Sequence, residues 1–411
     1  MERVTSERES AIAEGKKILG FSSNIFFLGL TSLFTDIASE MVYPLVPIFL
    51  TSVLGAPVAA VGLVEGIAES AASLIKAFSG WFSDRIRKRK ALTVLGYGLG
   101  AISKPILALS FIWPQVLIAR FVDRVGKGVR TSPRDALIAE STSKGEYGKS
   151  FGFHRGMDTV GAAIGPLIAF AALPLLKNDF RLFFGLAVVP AVAGVAVLTA
   201  FVREKISAAD GEDPKLSLRS FDLSFKLFLL VVLVFTIGNS SDAFLILRAR
   251  NAGIAVGLIP IVYFVFNAVY AFSATPVGSL SDRIGRKAVI VLGCLIFSLV
   301  YLGFGLAKSQ LTIWLLFAAY GFYYAFAEGI FKAYTADIVP RHLRGTAYGL
   351  LNLSLGIALL PASLIAGLLW QRIGPSAPFF FGSAMSLLAL VLFAALMPHD
   401  GNRALSHSSV K

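Results

Sequence analysis

The chain has 411 residues, 56% of them hydrophobic and only 15% charged, with a formal net charge of +13. A soluble domain carries about 25% charged residues, so a water-soluble fold of this length is excluded and lipid must be the solvent. The basic residues fall in short clusters between apolar runs, the pattern of membrane loops rather than of a nucleic-acid surface.

Met1 to Lys17 is polar and mixed in charge, without the apolar stretch and small-residue cleavage site of a signal peptide. The first membrane helix is expected to direct insertion. Twelve apolar segments then follow, each long enough to cross ~30 Å of hydrocarbon. Their expected spans are 23–50, 57–82, 91–111, 115–138, 150–173, 181–202, 226–247, 255–280, 288–306, 311–338, 344–370 and 376–397. Pro44, Pro47, Pro276 and Pro361 interrupt several of them, which membrane helices tolerate when neighbours satisfy the freed backbone groups.

The polar stretch Arg203 to Ser224 reads as a connector between two six-helix halves. The expected fold class is therefore all-α and polytopic, with twelve helices in two pseudo-symmetric bundles. The expected divisions are an N-terminal arm (1–22), a first bundle (23–202), a linker (203–225), a second bundle (226–397) and a tail (398–411). With the N-terminus taken as side one, 23 Lys and Arg lie on that side, 6 on the other and 9 within helices. The positive-inside rule then places both termini in the cytoplasm, here of a prokaryotic cell membrane.

Several classes of chemistry lack their residues. The single Cys294 lies in an apolar helix and permits no intramolecular disulfide. The four histidines show no metal-ligand spacing, and no Gly-x-x-x-x-Gly-Lys phosphate loop occurs. No metal, cofactor or nucleic-acid partner is expected, and an enzyme is not the reading.

The segment Gly80 to Arg89 (Gly-Trp-Phe-Ser-Asp-Arg-Ile-Arg-Lys-Arg) recurs as Gly278 to Lys287 (Gly-Ser-Leu-Ser-Asp-Arg-Ile-Gly-Arg-Lys). Asp84 and Asp282 stand 198 positions apart, close to half the chain. Such a repeat in a very apolar chain implies two similar membrane bundles. Each aspartate ends a helix beside Arg85 and Arg89, or beside Arg283, Gly285 and Arg286. It can face a neighbouring helix N-terminus and pair with Arg in one global state only; the alternative is a solvated anchor in a basic turn.

The first half also places fifteen charges inside helices, among them Asp36, Glu40, Glu65, Glu69, Asp123 and Asp158. At roughly 3 kcal/mol each, fifteen lipid-facing charges would cost about 45 kcal/mol, so most must face one another or a wet cavity. Asp36 and Glu40 share a helix face, as do Glu65 and Glu69, and Arg120, Arg124, Lys127 and Arg134 form one stripe. A carboxylate beside a cation can take up and release a proton as access alternates; Asp36, Glu69 and Asp158, with Arg120 or Arg124, are the candidates. In a second reading the helix-4 stripe binds an anionic group of the substrate, with Glu40, Glu65, Arg124 and Lys127 as substrate contacts; in a third, the charges are fixed ion pairs that only hold the bundle. The second half is poorer in charge: Asp242, Glu328, Lys332 and Asp337. Its wall is aromatic, with Tyr263 and Tyr324 prominent and Asn239, Asn267 and Asn352 as polar contacts. An amphipathic solute with its charged end toward the first half would fit this asymmetry.

Twelve spans, cytoplasmic termini, a central linker and the doubled motif resemble the major facilitator superfamily over nearly the whole chain. The family motif between helices 2 and 3 is Gly-x-x-x-Asp-Arg/Lys-x-Gly-Arg/Lys-x-Arg/Lys. The second copy here fits through Arg286, while in the first Arg87 stands where Gly is expected. Arg120 to Gly128 is similar to the family's helix-4 Arg motif, with Asp123 and Arg124 in place of the usual Gln and Gly. Gly161-x-x-x-Gly165-Pro166 is similar to the Gly-Pro fifth helix of its exporters, without the trailing glycines. The resemblance implies a secondary transporter, efflux-like and monomeric, that moves a small molecule, coupled to protons, through the lipid bilayer. It implies that the doubled motif is a conformational latch. In helix 5, Gly161 and Gly165 permit close helix approach, either as a rocking contact between halves or as ordinary tight packing, and Pro166 is expected to kink the helix. Uptake of an anionic or zwitterionic solute, a channel and a sensor are the alternatives.

Overall fold

The computed structural model describes residues 17–86, 88–142, 146–204, 221–340 and 343–397. Most of the expected N-terminal arm and linker, the tail, Arg87, and the side chains of Asp84, Asp282 and Glu328 lie outside the described residues. Two antiparallel two-residue strands, Lys17–Ile18 and Phe21–Ser22, precede the helices.

The helices are α1 (Ser23–Val53), α2 (Val58–Ile86), α3 (Arg89–Ala108), α4 (Trp113–Glu140), α5 (Tyr147–Leu175) and α6 (Phe180–Phe201). After the linker come α7 (Leu223–Asn251), α8 (Ile259–Ile284), α9 (Arg286–Leu306), α10 (Gln310–Ile338), α11 (Arg344–Arg372) and α12 (Ala377–Leu396). Eleven of these spans are long and apolar enough to cross a membrane. The remaining one, α4, is as long but carries the charge stripe. Where prolines remove ladder donors the geometry changes: after Val42, α1 tightens to a 3₁₀ turn at Tyr43–Leu45 and widens to a π turn at Phe49–Val53.

The packing repeats with a shift of six helices. In the first half α1 packs on α5 and α6, α2 on α4, and α3 on α4 and α6; in the second α7 packs on α11 and α12, α8 on α10, and α9 on α10 and α12. The halves meet chiefly along α2 and α11, with a lesser seam between α5 and α8. The first seam is close because it is glycine-lined. A Cβ at Gly62 would lie 2.3 Å from the Ser363 carbonyl oxygen, and Gly367 lies against Ala59.

Two faces can be distinguished: a linker face, where α6 ends and α7 begins, and a far face, where α1 ends and α2 begins. The far face is closed. There Ala243 and Leu247 of α7 join the apolar core of α1 and α2, and Tyr43 and Ile48 of α1 join that of the second half. The Ala59 amide donates to Gln371 Oε1 at 3.4 Å across the same seam.

Candidate functional site

A cavity of about 350 Å³ lies between the halves, within the size range of small-molecule sites. The first half contributes Asp36, Glu40 and Tyr43 from α1, Glu69 from α2, Arg124 and Lys127 from α4, and Arg155, Asp158 and Thr159 from α5. The second half contributes Asn239 to Asp242 from α7, Tyr263, Phe266, Asn267 and Tyr270 from α8, and Tyr324 from α10. Lys127 and Arg155 are exposed on the side toward the linker face, and Arg155 donates to the Tyr270 hydroxyl at 3.0 Å across the α5–α8 seam.

The helix-4 stripe is not one surface. Arg120 turns into the bundle and grips Glu65 with two bonds, 2.9 Å from Nε to Oε1 and 2.7 Å from Nη2 to Oε2. Glu65 is 0% exposed and Arg120 5%, so neither lines the cavity; the bidentate fork is the strong form of such a pair. Arg124, one turn along, sits 2.9 Å from Glu69 on the cavity wall. Between them Asp123 accepts from Lys104 at 2.9 Å and from Ser103 at 3.2 Å. Tyr43 lies beneath the guanidinium groups of Arg120 and Arg124, at 5.2 and 5.8 Å from its ring centre, within cation–π range. Arg134 leaves the stripe to pair with Asp135 at 2.8 Å.

Helix 5 presents His154, Asp158, Gly161 and Gly165 at i, +4, +7 and +11, one face. That face lies on α1. A Cβ at Gly161 would meet the Leu33 carbonyl oxygen at 2.7 Å and Asp36 Cβ at 3.0 Å; one at Gly165 would meet Glu40 Cβ at 2.8 Å. The tight contact of these glycines is thus within the first half, not between halves, and Pro166 lies inside a continuous α5. The face-to-face packing gathers Asp36, Glu40 and Asp158 on one wall. Glu40 Oε2 and Asp158 Oδ1 are buried without a hydrogen-bond partner among the described residues, as is His154 Nε2, and His154 Nδ1 stands 3.6 Å from Asp158. Among the described residues, Asp36 and Glu40 have no ion pair within 4 Å, whereas Glu65, Glu69 and Asp123 all do.

The opposite wall is built around a break in α7. Its first part ends at Gly238 and its second begins at Ala243, leaving Asn239 to Asp242 non-helical at the cavity. Irregular backbone at membrane depth is tolerated where it lines a cavity. Tyr320 donates to Asp242 Oδ1 at 2.7 Å and Tyr324 to Oδ2 at 3.4 Å. Asn267 bonds back to the Tyr263 carbonyl at 3.3 Å and still borders the cavity. Asn352 bonds back to the Tyr348 carbonyl and does not. Asp242 and Tyr43 are not among the residues expected at the site from sequence; a polar run, Gly238-Asn-Ser-Ser-Asp242, inside an apolar span is the available signal for the first.

The doubled motif lies at the linker face. Arg89 pairs with Glu140 at the end of α4, and Arg286 stands 3.6 Å from Asp337 at the end of α10. Both pairs tie a basic turn to the fourth helix of its own half. Arg286 also donates to the Ser281 hydroxyl. Gly285 has φ +88°, a conformation that glycine adopts at least cost. Gly80 lies near Ser132, and a side chain at Gly278 would meet nothing within 4 Å. Arg85 and Arg283 are exposed.

Two overlapping stretches, residues 28–247 and 227–409, match the sequence pattern of the Major Facilitator Superfamily. The chain belongs to that superfamily. Its relatives include an uncharacterized MFS-type transporter of Methanocaldococcus jannaschii, 39% identical over 383 residues that span 90% of this chain and 95% of that one. A probable 4-methylmuconolactone transporter of Cupriavidus pinatubonensis is 25% identical over 357 residues, 80% and 79% of the two chains. Among solved structures, the nucleoside transporter NupG superposes with a TM-score of 0.75 at 12% identity, covering 91% of this chain and 100% of that one, a likeness of fold. This superfamily member is accordingly a multi-pass membrane protein built to move a solute.

Proposed function

We propose that this protein is a proton-coupled secondary transporter that exports a small organic solute as a monomer by alternating access. The observation that carries the proposal is the cavity between the halves, shut at the far face, whose first-half wall carries three carboxylates without a Lys or Arg partner at ion-pair distance among the described residues. The 23 to 6 distribution of Lys and Arg supports a cytoplasmic linker face, so the cavity would draw solute from inside the cell. The Gly-Pro pattern of helix 5 favours export over uptake.

The contrast among carboxylates assigns roles. Glu65, Glu69 and Asp123 are each compensated by a cation at 2.7–2.9 Å. Asp36, Glu40 and Asp158 lack that compensation and border water, so they are the groups whose protonation responds to access. Glu69, with Arg124, becomes a fixed pair that shapes the solute site rather than a carrier. Opening the far face means parting α2 from α11, and the basic turns after α2 and α8 would close the linker face in exchange. The latch role of Asp84 and Asp282 belongs to that step.

A ligand-stabilisation screen on purified protein would supply a solute, and vesicles with an imposed pH gradient would test its transport. Asp36→Asn or Asp158→Asn is expected to abolish gradient-driven movement while solute exchange at equal pH persists. Driven movement at wild-type rates in both variants would remove these residues from coupling. Proton-driven accumulation inside right-side-out vesicles would defeat export in favour of uptake.

A further inference from the structure

We infer that Asp242, with the aromatic wall around it, forms a cation subsite, and that the transported solute carries a positively charged nitrogen. The inference rests on the transport reading of the cavity and names the class of solute that reading leaves open.

Asp242 is the only carboxylate that the second half contributes to the cavity, and no cation of that half lines it among the described residues. Its two oxygens accept from Tyr320 and Tyr324 and have no ion pair among the described residues. An ionised carboxylate has about four acceptor sites, so two hydroxyl donors orient it and leave capacity for a ligand. Hydroxyl donors also differ from a lysine or arginine in one respect that matters here. They steady the negative charge without cancelling it. The charge stays available to something that enters the cavity.

The surroundings fit an organic cation. Phe266 lies with its ring centre 5.4 Å from that of Tyr320 and 5.1 Å from that of Tyr324, and Tyr263 is 5.3 Å from Phe266. Tyr43 adjoins Tyr263 at 5.5 Å, but its ring already serves the Arg120 and Arg124 guanidinium groups, so the rings left for a ligand are those of the second half. Electron-rich ring faces beside a carboxylate attract ammonium groups, quaternary ones included. The break in α7 adds the Asn239, Ser240 and Ser241 positions to the same wall.

Charge balance links this subsite to the other wall. Among the described residues, five carboxylates and three cations line the cavity, which gives their fully ionised set a net charge of two negative. Protonation of Asp36, Glu40 and Asp158 would make it net positive. A bound cation and bound protons therefore oppose one another through the charge of one small volume, without needing to touch the same atom. Exchange of one for the other is the natural consequence.

The test uses the full-length protein in detergent and calorimetric titration with benzyltrimethylammonium and, as its anionic counterpart, phenylacetate. At about pH 8, where free carboxylates are ionised, the cation is expected to bind and phenylacetate to bind more weakly. Asp242→Asn should weaken the cation by about tenfold or more, as removal of a partner from a buried charge contact does. Asp242→Glu, which keeps the charge, should retain measurable affinity, and Tyr320→Phe should fall between. Monodisperse elution of each variant guards against a folding defect, and the Tyr320→Phe arm serves if Asp242→Asn fails to fold. Undiminished cation binding in Asp242→Asn, or preference of the wild-type protein for phenylacetate, would overturn the subsite. The same titrations near pH 5.5 separate the two readings. Cation binding that depends on Asp242 but not on pH would sustain the subsite and count against proton coupling. Loss of pH dependence in Asp242→Asn with full affinity at the higher pH would make Asp242 a proton carrier and overturn the subsite.

Discussion

The two halves of this transporter share a helix arrangement and differ in what fills it. In the first, the space between α2, α3 and α4 is occupied by an ionic network: Glu65 with Arg120, Asp123 with Lys104, and Glu69 with Arg124. In the second, the corresponding space between α8, α9 and α10 holds rings, with Phe297 stacked 3.9 Å from Tyr301 and Tyr320 lying 5.5 Å from Tyr323. One backbone arrangement is thus held once by paired charges and once by aromatic packing. The ionic version is exacting. Every charge must keep its partner, because an unpaired one in a dry interior costs several kcal/mol. The aromatic version tolerates loss of shape but supplies no proton sites. The proposed division of labour between a protonatable wall and a solute-binding wall rests on that difference.

The largest effect expected is at the pair that does not border the cavity. Arg120→Ala leaves Glu65 buried and alone, and should lower stability by about 3–5 kcal/mol. Arg120→Met combined with Glu65→Leu removes both charges and should restore most of it. Thermal unfolding in detergent measures both. If the double variant is no more stable than the single one, the ionic core is not simply an alternative to an apolar core, and the comparison between halves breaks.

The helices are readable from sequence because an apolar run of about twenty residues is the length a bilayer demands and a water-soluble fold rarely uses. Most of the cavity wall is readable too, since charges such as Asp36, Lys127 and Asp158 cannot face lipid and so have to converge. Which member of a pair faces inward is another matter. Glu65 and Glu69 share a helix face at a spacing of four, and spacing alone ranks them equally. Packing of α2 on α4 decides it, putting Glu65 behind the wall with Arg120 and Glu69 on it with Arg124. Helix 5 shows the same limit: the glycine pattern announces close approach, but only the fold says that the neighbour is α1. Asp242 is legible as an intramembrane charge, but its place at the cavity is not, because it belongs to no periodic pattern. Its place depends on a helix break and on two tyrosines about 80 residues away, contacts that no local reading of chain chemistry contains.

A second prediction concerns the seam where the halves join. Gly62 and Gly161 both permit close approach, but across different boundaries: Gly62 abuts Ser363 of the other half, whereas Gly161 abuts Leu33 of its own. Gly62→Ala should weaken closure of the far face by about 1–3 kcal/mol, the usual range for overpacking. Gly161→Ala should cost a comparable amount of overall stability without opening that face. Thiol labelling of a cysteine placed at Gln371 would report the difference, with faster labelling expected in Gly62→Ala only. Equal labelling in both variants would show that the α2–α11 seam does not control access.

The smallest effect tests the repeated motif, where the halves differ by one residue. Gly285 holds φ +88° between α8 and α9. A side chain there has room, since nothing lies within 4 Å of an added Cβ. The cost of Gly285→Ala is therefore one of backbone conformation alone, about 1–3 kcal/mol for an L-residue at φ +88° and ψ 148°, a region that is essentially glycine's. The first copy carries Arg87 at the equivalent position, so Arg87→Gly asks whether that turn needs the conformation of Gly285. If both turns share the conformation of the second, Arg87→Gly should stabilise by a similar ~1 kcal/mol. If Arg87→Gly is neutral or destabilising while Gly285→Ala is costly, the two turns differ in backbone as well as in sequence. The latch would then be asymmetric in the same sense as the cavity walls: one half constrained by charge, the other by the shape of its chain.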